Sequence, residues 1–270
     1  MMPPLTATMP RLHPLSCLTI SLALLAGLGA PCAQAQDEVG PAVLPYRPSV
    51  ASPAQLPAPG QLELELGGLD NKTGEARRAS LPYALKLAFS PEWGVLLEGE
   101  AAVRSRDDSG RVDSGVGDTS LILKRAFLLD SATALGVELG WKAPTAKDSI
   151  GSGRRDISLN GIASRDVGSV HLDANLNATR LGAPPAGAGS TQMGWATSFS
   201  MPVSSKWGAT AELSGTRLRG AASTAQLLVA ATWSITPRLV IDAGLARGLT
   251  SASPDWSVFS GFVLPLGKLW

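Results

Sequence analysis

The chain has 270 residues, 23 Lys+Arg against 22 Asp+Glu, a formal net charge of +1 and a mean hydropathy of +0.13. So even a balance argues against a nucleic-acid partner and against a polybasic membrane patch. Both cysteines, Cys17 and Cys32, fall within the first 35 residues. Everything after them therefore lacks a disulfide framework, a cysteine nucleophile and a thiolate metal site.

In chain order, the first segment reads as an export signal. Arg11 precedes an apolar run at 18–29 that is too short to span a bilayer as a helix. Ala33-Gln34-Ala35 then supplies a small-x-small cleavage site before polar Gln36-Asp37-Glu38. Residues 1–35 are expected to be a signal peptide. Cys32 follows Pro31 rather than a small residue, which speaks against a lipoprotein signal. Removing this leader takes away Arg11 and no acid, leaving 22 residues of each sign.

Residues 36–60 carry Pro41, Pro45, Pro48, Pro53, Pro57 and Pro59, a density that forbids helix and sheet ladder alike. Two readings stand for this segment. It is a Pro-rich periplasmic linker, or it enters a barrel lumen as a partial plug.

From residue 61 the pattern changes to period two, the mark of strands with unlike faces. Leu62, Leu64 and Leu66 alternate with Glu63, Glu65 and Gly67, and Leu135, Val137, Leu139 and Trp141 with Gly136, Glu138, Gly140 and Lys142. About twelve such segments follow one another, an even number as in single-chain bacterial barrels. The expected fold is all-β: a transmembrane antiparallel up-and-down β-barrel over residues 61–270.

The connections alternate in kind. Tight turns are expected around Pro91, Ser131, Gly168, Ser205 and Pro237, and longer polar loops at 70–77, 105–114, 145–154, 182–190, 217–223 and 250–255. Short periplasmic turns and longer extracellular loops are the outer-membrane pattern, and they place both mature termini in the periplasm. Trp93, Trp207, Trp233 and Trp270 fall at the expected periplasmic strand ends, and Trp141, Trp195 and Trp256 towards the other, as interfacial girdles require. The terminal strand, ending on Trp270, resembles the aromatic-terminated strand read by the outer-membrane assembly machinery.

The inward row carries charge. Constant index sums across tight turns pair Lys86 with Glu98, Glu98 with Lys124, Arg104 with Asp118, Lys124 with Glu138, and Lys142 with Asp156. Such a row is a brace for the lumen wall, a constriction belt for a pore, or both. His171 and Asp173 belong to the same inward face. As the one histidine after the leader, His171 would have to serve as base in any Ser-His-acid site, with Asp173 or Asn175 beside it. The bland alternative is a polar residue in a polar row, and no enzyme, metal or cofactor is expected.

Gly115-Val116-Gly117-Asp118, a strand carrying Lys124, and then Pro144-Thr145 resemble the G-x-G-D … K … P-T-G pattern of the MetA-pathway phenol-degradation family. Residues 153–156, 175–177 and 242–249, Pro254-Asp255 and Gly261 continue the likeness, while Ala146 replaces the glycine after Pro-Thr. The resemblance implies an outer-membrane barrel that passes hydrophobic or aromatic compounds. The residues themselves support a monomeric, passive outer-membrane channel for a small solute, surrounded by outer-membrane lipid. A closed structural or adhesion barrel and a lipid-modifying enzyme are the alternatives.

Overall fold

A computed structural model of the chain describes residues 40–270; the expected signal peptide, Cys17 and Cys32 lie outside the described residues. The first strands are β1 (Gln61–Thr73), β2 (Ala76–Ala88), β3 (Trp93–Arg106) and the short β4 (Val112–Gly115). They are followed by β5 (Thr119–Leu128), β6 (Thr133–Ala143), β7 (Asp156–Val167), β8 (Val170–Arg180) and β9 (Thr191–Pro202). The chain ends in β10 (Trp207–Leu218), β11 (Thr224–Thr236), β12 (Leu239–Gly248) and β13 (Trp256–Lys268). All belong to one antiparallel sheet, in which β13 returns to β1 and β2 pairs with β3. The result is a closed barrel of twelve long strands, with β4 as an addition.

The period-two pattern decides the faces. Glu63, Glu65, Glu138 and Glu212 are buried inside, whereas Val137 and Leu139 are exposed on the outer wall. Apolar residues thus form the outside and polar ones the interior, the inverse of a soluble barrel and the arrangement a bilayer requires. Buried apolar clusters are small; Val43, Val240 and Val263 make one, and Leu228, Ala246 and Phe259 another. Trp207 and Trp233 are register partners on the outer wall, stacked with ring centroids 5.7 Å apart.

Tight turns at 89–92, 129–132, 168–169, 203–206 and 237–238 occupy one end of the barrel. The other end carries 107–111, 144–155, 181–190, 219–223 and 249–255. Two expected loops are corrected. The stretch 70–77 is mostly ladder, with only Gly74 and Glu75 between strands, because Gly74 takes a φ of +57° that closes the hairpin. Much of 105–114 is also paired, as β4 folds back on the end of β3.

The β2–β3 ladder is interrupted where it matters. Ser80 faces Val103 but Pro82 faces Glu100, so β3 holds one extra residue at this bulge. Pro82 has no N–H to give the ladder. Past the bulge the faces of β3 are exchanged: Val103 points inward, 3% exposed, and Arg104 points out. Arg104 was expected in the lumen opposite Asp118, yet its partners are Ala79 and Ser114.

Candidate functional site

Residues 40–60 run through the barrel. Prolines keep this segment out of any ladder, so its remaining N–H groups need other acceptors. The inward side chains supply them. Tyr46 N–H donates to Glu65 Oε1 at 2.7 Å, and Val50 and Ala51 N–H donate to Glu212 Oε2 at 2.7 and 2.9 Å. Ser52 N–H reaches Asn175 Oδ1 at 2.9 Å and Ala54 N–H reaches Ser164 Oγ at 2.7 Å. These acceptors sit on β1, β10, β8 and β7, which only a chain inside the barrel can reach together. Val43 N–H bonds to Pro237 O and Gly60 N–H to Ala88 O, so this strap begins and ends at the tight-turn end. It turns back near Val50, level with the middle of β10.

Two lysines hold it electrostatically. Lys86 and Lys124, each 0% exposed, place their ammonium groups 4.3 Å from the centre of the Tyr46 ring. Lys86 pairs with Glu65 at 2.6 Å and Glu63 at 3.1 Å, and donates to Leu44 O. Lys124 pairs with Glu138 at 2.9 Å and donates to Pro53 O at 2.5 Å. Buried charges are tolerated only with such partners, since a lone ion in a medium of low dielectric loses several kcal/mol of solvation. Arg47 makes two bonds of 3.0 Å to Asp242.

Two of the five expected pairings are present. Lys124 does face Glu138, and Lys142 faces Asp156 at 2.6 Å. Glu98 faces Ala84 and Ser120 rather than Lys86 and Lys124, while Lys86 faces Leu96 and Glu63. These slips are by even numbers of residues, so Glu98 and Lys86 keep the inward face expected of them. Glu98 lines a luminal cavity with Ser120, Glu138 and Asn160. Sequence reasoning did not single out Tyr46, Arg47, Glu63, Glu65, Asn160, Ser164 and Glu212 as site residues, and met Asp242 only at the start of a stretch of the family likeness. Glu63 and Glu65 stood in the alternating pattern, but nothing local marked their partner as the Pro-rich segment.

Asp118 does not meet Arg104 but acts as a clasp beside inward Lys142. It accepts from Ala146 N–H at 3.0 Å and Ser152 N–H at 3.3 Å, and Lys142 lies 3.4 Å away. Burial alone would push its carboxyl up, but these donors hold it below the usual carboxylate range. Thr145 Oγ1 donates to Gly117 O at 3.2 Å, and Gly117 N–H bonds to Glu100 O where β4 gives way to β5. Gly115, beside Lys147 and Ile150, completes the contact. The Gly-x-Gly-Asp and Pro144-Thr145 pieces thus tie the 144–155 loop to the barrel rim.

His171 Nδ1 lies 2.6 Å from Asp166 and Nε2 3.2 Å from Asp173. The nearby Ser164 hydroxyl bonds to Asp173 instead, so no serine–histidine relay forms there. His171, Asp173 and the strap border a cavity of about 720 Å³ at the tight-turn end. Beyond Val50 lies another of about 360 Å³, lined by Asn160, Asn175, Asn177, Thr216 and Gln226. Among the described residues no cluster of His, Cys, Asp and Glu could hold a metal ion.

No family model matches the sequence, and no curated protein matches it, so the family resemblance rests on its motifs alone. Solved structures do match in fold. The COG4313 outer membrane channel from Pseudomonas putida F1 is 17% identical with a TM-score of 0.62, over 79% of this chain and 98% of that one. The NanC porin is 9% identical with a TM-score of 0.54, covering 75% of this chain and 100% of its own. The KdgM porin is 6% identical with a TM-score of 0.53, covering 76% and 99%. The chain has the fold of these outer-membrane barrels.

Proposed function

We propose that the protein is a passive outer-membrane channel for a small solute, narrowed from its tight-turn end by the strap at residues 42–56. The observation that carries this reading is the strap itself, bonded through its backbone to inward groups on four strands. Its hold is polar and local rather than a continuous apolar core, the kind of contact that leaves aqueous space beside it. Cavities on both sides of the strap agree with a narrowed path rather than a packed interior. In this reading residues 1–35 direct export, β13 is presented to the assembly machinery, and the tight turns and both mature termini face the periplasm.

The lumen also suggests a solute class. Inward Glu63, Glu65, Glu98, Glu100, Glu138, Asp156, Asp173, Glu212 and Asp242 outnumber Arg78, Lys86, Lys124 and Lys142, even with Arg47 added. A wall of net negative charge admits cations and neutral polar molecules more readily than anions. It favours these over the hydrophobic or aromatic compounds that the motif resemblance implies. Planar-bilayer recordings test the reading. The chain from Gln36 should give small, cation-selective steps, and deletion of residues 40–56 should raise the conductance several-fold. Folded barrels that conduct in neither form would make this a closed structural barrel.

A further inference from the structure

The outer wall at the long-loop end carries a cationic patch that the nearly even charge balance of the sequence does not announce. On the outward face, hydrogen-bonded register sets Arg247 beside Trp256, Trp256 beside Lys72, Lys72 beside Arg77, and Arg77 beside Arg106. One row nearer the middle of the barrel, Arg104 follows Ala79 and Asp70. Neighbouring strands are about 4.8 Å apart, so the row spans roughly 19 Å. Arg77, Arg104, Arg106 and Arg247 are exposed, and Asp70, paired with Arg77, is the one carboxylate on this face of the strands among the described residues. Glu75, Asp107, Asp108 and Asp255 lie in the turns and loops beyond the strand ends.

Directly below sit exposed Leu245 and Val258, the start of the apolar wall, and Trp256 lies at the boundary. Cations above a hydrocarbon-facing wall meet whatever head groups flank that hydrocarbon. The opposite rim differs: there Arg125 lies beside Glu92 and stacks on Trp93 and Phe127. The β3 bulge adds two cations to the patch, because without the extra residue Arg104 and Arg106 would point into the lumen.

We propose that this patch binds the phosphorylated glycolipid of the outer leaflet, lipid A, through its phosphates. Arginine forks match phosphate oxygens in pairs, and several cations within one row suit a head group bearing more than one phosphate. The occupant rests on the orientation given under Proposed function, with the long loops outside.

The test is native mass spectrometry of the folded barrel in detergent with lipid A or its dephosphorylated form. Each cation near a phosphate surface contributes about fivefold in affinity. Lipid A should therefore bind roughly a hundredfold more weakly to Arg77→Ser/Arg104→Ser/Arg106→Ser, and the dephosphorylated lipid should bind weakly to both forms. Arg104→Ser alone should lose about fivefold; that side chain makes no ion pair among the described residues, so folding does not depend on it. Arg125→Ser should bind like the parent chain. Equal binding by all forms, or equal loss in Arg125→Ser, overturns the patch. The orientation is read separately by labelling Ser109→Cys on intact cells with an impermeant thiol reagent. Protection there overturns the outer-leaflet occupant, whereas labelling together with equal lipid binding overturns the patch alone.

Discussion

Arg47 and Asp242 stand 195 positions apart in sequence and are joined by two parallel hydrogen bonds of 3.0 Å inside the barrel. The guanidinium passes between two glycines of the wall. A Cβ at Gly67 would lie 2.6 Å from Arg47 Cζ, and one at Gly261 would lie 2.6 Å from Arg47 Nε. Strap and wall are fitted to each other at this point.

Replacing Gly261 by alanine should therefore act on the strap as Arg47→Ala does. The added methyl also meets Leu66 O at 2.7 Å, so the backbone cannot simply absorb it. Both variants leave Asp242, 2% exposed, without its partner, a loss of about 3–5 kcal/mol where a buried pair is broken. Single-channel recording should show larger and noisier steps in both. Unchanged traces would mean that the strap does not limit conduction.

Lys124 and Glu138 provide a test of the buried charges. Lys124→Met should destabilise the barrel by about 3 kcal/mol, by leaving Glu138 uncompensated and Pro53 O without its donor. Adding Glu138→Gln should restore part of this, since the lone charge is then gone. A double-mutant cycle from urea unfolding in lipid vesicles measures the coupling, and strict additivity would contradict a direct interaction.

The Asp118 clasp makes the 144–155 loop sensitive to acid. Its carboxyl titrates below the ordinary value when folded, so its contribution is present above the unfolded pKa of about 3.9 and is lost as pH falls through the folded one. Proteolysis within this loop should accelerate at low pH under an acid-active protease. Asp118→Asn should raise the neutral-pH rate and abolish the acid dependence, for a cost of about 1 kcal/mol in lost charge-assisted bonds.

His171→Ala should leave assembly unchanged, as judged by heat-modifiable migration, and should not affect conductance by more than about twofold, because His171 is half-exposed and contacts only Asp166 and Asp173 among charged groups. Lipid hydrolysis lost in this variant would instead support an enzyme.

The sequence by itself determined the barrel. Strict alternation such as Leu135 to Lys142 can be satisfied only by strands with one apolar and one polar face, and twelve of them in a row, with turns between, close antiparallel. The tryptophans and most of the tight turns followed from the same local chemistry. Even the inward face of Lys86, Glu98, Lys124 and Glu138 was legible, because face depends on parity alone. Partners were not. Lys86 meets Glu63 and Glu65 rather than Glu98 because the turn between β2 and β3 sets it opposite Leu96 and the β1–β2 hairpin sets it opposite Glu63, registers that the closed ladder settles as a whole. The bulge opposite Pro82 sends Arg104 and Arg106 outward, so a chain of nearly balanced charge carries carboxylates within and a cluster of cations on its long-loop outer rim. The Pro-rich segment had no pattern of its own to read. Its place was decided by N–H groups that no ladder could take and by buried carboxylates, brought from distant strands, that could accept them.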